Sequence, residues 1–447
     1  MAEYKSSGHS RPPSRTKKNP PRKPQPVLTQ YSDISDGSAE DDKNDGDDLS
    51  KLREDIKIAM KEYESFINTE GLEKTSLTLR ERLLLLKTDL PSKVVIMRRY
   101  EEVFSSVDGG RMNAEIAKGN AWLNNCLQLP FGRIKPLGVN YDDGQDKITE
   151  YLVNVRNVMD QSVYAHDKAK DDILCFVCRS VTAHTKTSGK VLALCGPPGC
   201  GKTRLIRQAL HNGLGLPFFS INCGGLNDAS VLLGHDYTYL GSKPGKIAQI
   251  LAMSKYMNCI IYLDELDKIS GTKASDISGV LTHMLDPEQN TQFQDTYFQG
   301  VNIDVSNVLF VLSFNDMNKV DLIARDRMKI IEVHENTFEE KGHIAKMFLI
   351  PEVLASVGLQ PGDVIFPDDV VGYIITMAKE PGMRKTRQIF ESLVERINIL
   401  RITGFKSNDR LKLSFNADIS EMPVLVTMTL INSLLPISAK ALGINLQ

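Results

Sequence analysis

The segment Gly196-Pro197-Pro198-Gly199-Cys200-Gly201-Lys202-Thr203 constrains this chain more than any other. It fits G-x-x-x-x-G-K-[ST], follows the apolar run Val191-Leu192-Ala193-Leu194, and opens a helical pattern of Leu205, Ile206, Ala209 and Leu210. Strand, glycine loop and helix start, in that order, are the context in which such a loop cradles phosphate. The glycines let backbone N–H groups close around phosphate oxygens, and the helix N-terminus adds partial positive charge. Lys202 is then placed to reach the β- and γ-phosphates, and the Thr203 hydroxyl to bind Mg²⁺. The sequence predicts a bound nucleoside triphosphate.

Around that loop the pattern is α/β. Strand-like runs at 191–195, 217–221, 259–263, 308–312 and 330–333 alternate with helical patterns such as 247–257 and 275–285, as a parallel sheet requires. Ile260-Ile261-Tyr262-Leu263 delivers Asp264 and Glu265 at the end of a strand, the first suited to hold Mg²⁺ and the second to polarise an attacking water. Asn315 follows the 308–312 strand, where its amide would orient that water. In Arg325-Asp326-Arg327-Met328 a guanidinium reaching a neighbouring subunit's γ-phosphate would stabilise transition-state charge, and the residues alone leave both arginines open. Arg384, after Pro381-Gly382-Met383, is a second candidate arginine, supplied in cis.

The flanks carry less chemistry. The 447 residues give room for two to four domains, and a formal net charge of -2 argues against a uniformly basic nucleic-acid binder. No apolar run approaches the ~20 residues of a membrane helix, and no secretory h-region opens the chain. Seven cysteines without an export signal point to reduced thiols and an intracellular, cytoplasmic location. Residues 1–48, basic and Pro-rich and then acidic, read as a disordered tail. Its basic run is a solvated arm, or alternatively a nuclear-localisation or nucleic-acid contact. Residues 49–135 show apolar positions at helical spacing, among them Leu83, Ile96, Met97 and Val103, and Trp122 before Leu129-Pro130-Phe131-Gly132 reads as a packing anchor and helix stop. Cys175 and Cys178 form a lone C-x-x-C with no second ligand pair, so a metal is discounted and both thiols are expected to pack as small apolar groups.

Together these residues resemble the ATPase module of Lon-type AAA+ proteases, over about 122–402. The resemblance rests on Leu129-Pro130-Phe131-Gly132, Tyr164, the phosphate loop, the stretch from Gly234 to Lys246, and Leu263-Asp264-Glu265-Leu266-Asp267-Lys268. It extends through Leu285-Asp286-Pro287-Glu288-Gln289-Asn290, Asp326-Arg327-Met328 and Gly382-Met383-Arg384. It implies an AAA+ P-loop core at 136–335, a helical lid at 336–405, and ATP with Mg²⁺ as cofactors. It implies Asp264 and Glu265 as Walker B acids, Asn315 as sensor 1, Arg327 as arginine finger, Arg384 as sensor 2 and Tyr164 beside the adenine. Tyr239-Leu240 resembles the pore loop that grips polypeptide in the channel of a homohexamer, and 270–276 the second pore loop.

The departures are specific. Asp236-Tyr237 replaces a basic pair, Cys200 replaces Val or Thr, and Arg325 stands where an aliphatic residue is usual. The family's Ser–Lys peptidase box does not follow the lid, and 406–447 reads as a short strand–helix extension, with 411–415 strand-like. The expectation is an ATP-driven polypeptide-remodelling motor without its own peptidase, with a separate protease subunit acting in trans as one variant. The alternative is a nucleotide-gated scaffold associated with nucleic acid through the basic tail.

Overall fold

The computed structural model describes residues 77–105, 113–182, 191–239, 241–269, 274–404, 411–415, 417, 419 and 421–435. The expectations for the 1–48 tail, the helical pattern up to residue 76, Leu240 and most of the second pore loop fall outside these residues.

Helix α1 (Leu79–Leu84) begins with a capping box, Thr78 and Glu81 satisfying each other's backbone N–H groups. It is followed by α2 (Leu90–Ser105) and α3 (Asn113–Gln128). The last two pack so closely that a Cβ on Gly119 would stand 2.2 Å from Val103 Cγ2, which explains a glycine inside a helix. Trp122 is fully buried, and its Nε1 donates to the Tyr297 carbonyl at 2.8 Å, so it anchors this helical layer to the body of the protein.

Helices α4 (Gln145–Ser162) and α5 (Asp167–Thr182) lead into β1 (Val191–Cys195) and α6 (Lys202–Ile206). Then come β2 (Phe218–Asn222), α7 (Ser230–Leu233), α8 (Lys246–Ser254), β3 (Ile260–Asp264) and α9 (Ala274–Leu285). The short hairpin of β4 (Phe293–Gln294) and β5 (Asn302–Ile303) precedes β6 (Leu309–Phe314), α10 (Leu322–Arg325) and β7 (Lys329–Glu332). Strands β2-β3-β6-β1-β7 form one sheet in that order, all parallel.

The apolar alternation along these strands fills two cores. Ala193, Ile261, Leu263, Phe310 and Leu312 face one side, and Leu192, Leu194, Ile260, Tyr262 and Val311 the other. The sheet's carboxyl edge therefore presents Gly196, Asp264 and Asn315 side by side. In an open parallel sheet this edge is where ligands bind.

A third core belongs to the helices beyond the sheet: α11 (Phe338–Ile344), α12 (Ile350–Ser356), α13 (Asp368–Ala378) and α14 (Arg384–Ile402). Strand β8 (Val364–Ile365) pairs in parallel with β9 (Val424–Leu425), and Val426, Ile431 and Leu434, the last two on α15 (Met428–Leu434), enter the same core. The described part of the 406–447 extension thus carries a short strand and a helix, and both pack into the core of the lid helices. Residues 411–415 are not a strand: Lys412 adopts a left-handed φ of 43°, while Leu413 and Phe415 pack on the lid core.

The expectation for the two cysteines also fails at one position. On α5 the core stripe is Ile173, Phe176 and Val177, which turns Cys175 to solvent and leaves Cys178 half-buried. Among the described residues no cluster of three or more His, Cys, Asp or Glu is arranged to hold a metal, and no helix is long and apolar enough to cross a membrane.

Candidate functional site: the phosphate loop and the lid above it

The loop after β1 turns on two glycines in left-handed conformation, Gly199 at φ 81° and Gly201 at φ 82°. Its final residue, Lys202, opens α6 and is almost wholly buried. The Lys202 Nζ donates to the carbonyls of Gly196 (2.6 Å) and Pro197 (2.9 Å) and to Asn315 Oδ1 (2.8 Å). Burial lowers its pKa, opposed by nearby carboxylates including Asp264. Lys202 and Asn315, singled out separately in the sequence, thus meet in a hydrogen bond.

Below them runs a chain of oxygens. Thr203 Oγ1 lies 3.0 Å from the Tyr262 hydroxyl, which donates to Ser313 Oγ at 2.9 Å, and Ser313 Oγ donates to Asp264 Oδ1. Asp264 Oδ1 also accepts from the Glu265 backbone N–H at 3.0 Å. Glu265 itself has φ 57°, an uncommon backbone for a non-glycine residue, and its carboxylate approaches Gly224, where a Cβ would be 2.9 Å from Oε2. Tyr262 and Ser313 join the predicted residues together, but a hydroxyl on an apolar strand reads in sequence as packing. The one available signal was their register on adjacent strands, which a single sequence does not disclose.

The loop is closed from above by the lid. Met383 N–H donates to the Gly199 carbonyl at 3.1 Å, and a Cβ on Gly382 would fall 2.4 Å from the Pro198 carbonyl oxygen. Arg384, the first residue of α14, is thereby brought to the loop. Between loop, lid and the α4–α5 connection lies a cavity of about 250 Å³, lined by Tyr164, Gly199, Cys200, Gly201 and Arg384 and floored by apolar groups such as Val163, Phe348 and Met383.

Tyr164 stacks on His343 with ring centroids 4.0 Å apart. His166 and Asn336 also line this cavity, and the buried His166 Nδ1 and Asn336 Oδ1 find no hydrogen-bond partner. Burial, followed by the neighbouring His334, lowers the His166 pKa. An apolar slot beside a phosphate loop, with polar atoms still unsatisfied, fits a heterocyclic base joined to phosphates.

Two of the predicted groups are not part of this cluster. Arg327 does not line the cavity; its Nε and Nη2 bind Asp286 Oδ2 at 3.1 and 2.8 Å, and its Nη1 donates to the Ile323 carbonyl. Asp286, from the Leu-Asp-Pro-Glu-Gln-Asn string, was not assigned a role in sequence. Its carboxyl is held below the usual range by the Glu288 N–H and then by Arg327. Tyr239 is 70% exposed at the tip of a loop. That loop is pinched at its neck by the Gly234–Pro244 bridge and by Asp295, which accepts from the Gly245 N–H at 2.8 Å.

Comparison with known proteins agrees with this geometry. Residues 192–335 match the ATPase family associated with various cellular activities (AAA). The chain is 32% identical over 327 residues to a Lon protease of Campylobacter concisus, covering 70% of this chain and 39% of that protein. It is 35% identical over 283 residues to a mitochondrial Lon protease homolog of Schizosaccharomyces pombe, covering 63% and 25%. This is an AAA ATPase module of the Lon type. A Lon protease homolog of Acanthamoeba polyphaga mimivirus aligns over more of the Lon-type chain, 84%, at 27% identity, and 39% of that relative is covered. The Lon-type chain thus spans well under half the length of the relatives it matches.

Proposed function

We propose that this Lon-type module binds ATP at the phosphate loop, hydrolyses it, and uses the cycle to pull on polypeptide as a homo-oligomer, most simply a hexamer. The observation that carries the reading is the joined set Lys202–Asn315 and Thr203–Tyr262–Ser313–Asp264 beneath an apolar, base-sized slot.

Thr203 and Asp264 offer the hard oxygen donors that Mg²⁺ prefers, and they are already linked through two hydroxyls. When bound, the ion neutralises phosphate charge. Lys202 exchanges the two loop carbonyls for phosphate oxygens, so the buried ammonium gains an anionic partner in place of neutral ones. Glu265, at the strand end, accepts the proton of the attacking water, and Asn315 orients that water from beside Lys202. Arg384 reaches the phosphates in cis from the lid. Arg327, outside its own cavity and presented by Asp286, serves the site of the next subunit.

The exposed Tyr239, on a loop closed at its neck by Asp295, is suited to grip an extended chain. Glu265→Gln tests the hydrolytic assignment. We expect ATP binding to persist and turnover to fall by roughly 10²-fold or more. Unchanged turnover would remove Glu265 from the role.

A further inference from the structure

The loop carrying Tyr239 departs from the resembled family at Asp236-Tyr237, and the structure shows what those two residues touch. The Arg99 guanidinium, on α2, lies over the Tyr237 ring at 4.3 Å. From α3, Lys118 Nζ donates to the Thr238 carbonyl at 2.8 Å, a contact between residues 120 apart in sequence. Asp236 turns back to cap Thr238, accepting from its N–H at 2.9 Å and its hydroxyl at 2.8 Å, and takes a further bond from Gln299 Nε2 at 2.6 Å. We propose that Arg99 and Lys118 are positioning residues for the substrate loop: the α2–α3 hairpin grips its base and sets where Tyr239 meets polypeptide. The inference rests on the polypeptide reading above and adds to it the element that fixes the loop.

Both ends of the grip are anchored. Arg99 is held by Glu102 at 3.1 Å and lies 5.8 Å from the Trp122 ring, whose Nε1 is tied to the Tyr297 carbonyl. The same stretch that supplies Tyr297 and Gln299 continues to Asn302, which donates to Ser92 Oγ and Asp89 Oδ2, each at 2.9 Å. Helical hairpin, 295–302 segment and loop base thus form one frame, while Tyr239 beyond it is exposed. The loop offers Asp236 and Tyr237 here, and Arg99 brings a cation to it from α2. A planar guanidinium on an aromatic face is not interchangeable with an ammonium. A mixed-charge crevice of about 320 Å³, lined by Arg99, Glu102, Glu115, Lys118 and Tyr237, lies between these helices and the loop base, so the contact is made by these few polar and aromatic groups.

The test compares the full chain with Arg99→Ala, Arg99→Lys and Tyr237→Phe. It reads basal ATP turnover, the casein concentration giving half-maximal stimulation of turnover, and hydrogen exchange over residues 236–239. For Arg99→Ala we expect basal turnover to stay, exchange to quicken, and half-saturating casein to rise by about two- to fivefold, the size of one exposed cation–π contact. Arg99→Lys should fall between Ala and wild type, and Tyr237→Phe, which keeps the ring, should match wild type. Unchanged exchange and half-saturation in Arg99→Ala would overturn the grip. So would loss of basal turnover and stimulation in equal proportion, with Arg99→Lys failing alike, since that marks a fold defect. Quickened exchange in a protein that casein never stimulates would leave the grip standing and overturn the polypeptide reading instead.

Discussion

Lys202 stands against three oxygens, two loop carbonyls and the Asn315 amide, in a pocket that burial has made costly for its charge. A phosphate is the ligand that would repay that cost. The lysine and Asn315 were both legible, one from a motif and the other from its place after a strand. The hydroxyl relay of Tyr262 and Ser313 was not, because a period-2 apolar run says nothing about which strand lies alongside. Asp295 was equally silent in sequence. Fully buried, it accepts backbone N–H bonds from Gly245 and Tyr297, and burial pushes its carboxyl up to about 7. The unfolded chain ionises near ~3.9. Between those values the native state keeps a proton that the unfolded state has released, so this group's contribution to stability declines as pH rises. Chemical denaturation of wild type and Asp295→Asn should show the difference between them shifting against wild type by roughly 2 kcal/mol from pH 5 to pH 7. Parallel curves would contradict the assignment.

Gly382 shows how elements meet at this site. Its missing side chain lets the lid loop approach the Pro198 carbonyl to a distance that no Cβ tolerates. Gly382→Ala must push the lid off the phosphate loop. Overpacking of this kind costs on the order of 1–3 kcal/mol, so ATP affinity, read by fluorescent-analogue titration, should weaken by about tenfold. Affinity equal to wild type would mean that the lid contact is not part of the binding state.

The five sheet strands were visible in sequence to within a residue or two, because strands buried on both faces are continuous apolar runs bounded by turns. The β8–β9 pair was missed, since two-residue strands far apart in sequence leave no local period. For the same reason the sequence did not show that the extension beyond 405 packs on the lid, where Val424, Ile431 and Leu434 lie in the core. The thiol at 175 was misread through helical phase: the stripe that α5 buries runs through Ile173 and Val177 instead.

At the scale of the whole molecule, Lys202, Asp264 and Asn315 gather at the sheet's carboxyl edge beside a cavity that Arg384 lines, while Arg327 does not line that cavity and is bound to Asp286. On the proposed reading each site is complete only when a second subunit delivers that arginine. Catalysis and assembly then become one property, since a guanidinium of this kind contributes ~10³–10⁵ in rate. The most direct measurement is ATP turnover per chain across a range of chain concentrations, with oligomeric state recorded at each, for wild type and Lys202→Ala. We predict turnover per chain that climbs with assembly to a plateau in wild type and none at any concentration in Lys202→Ala. Constant turnover in a strictly monomeric sample, or full turnover without Lys202, would contradict the account.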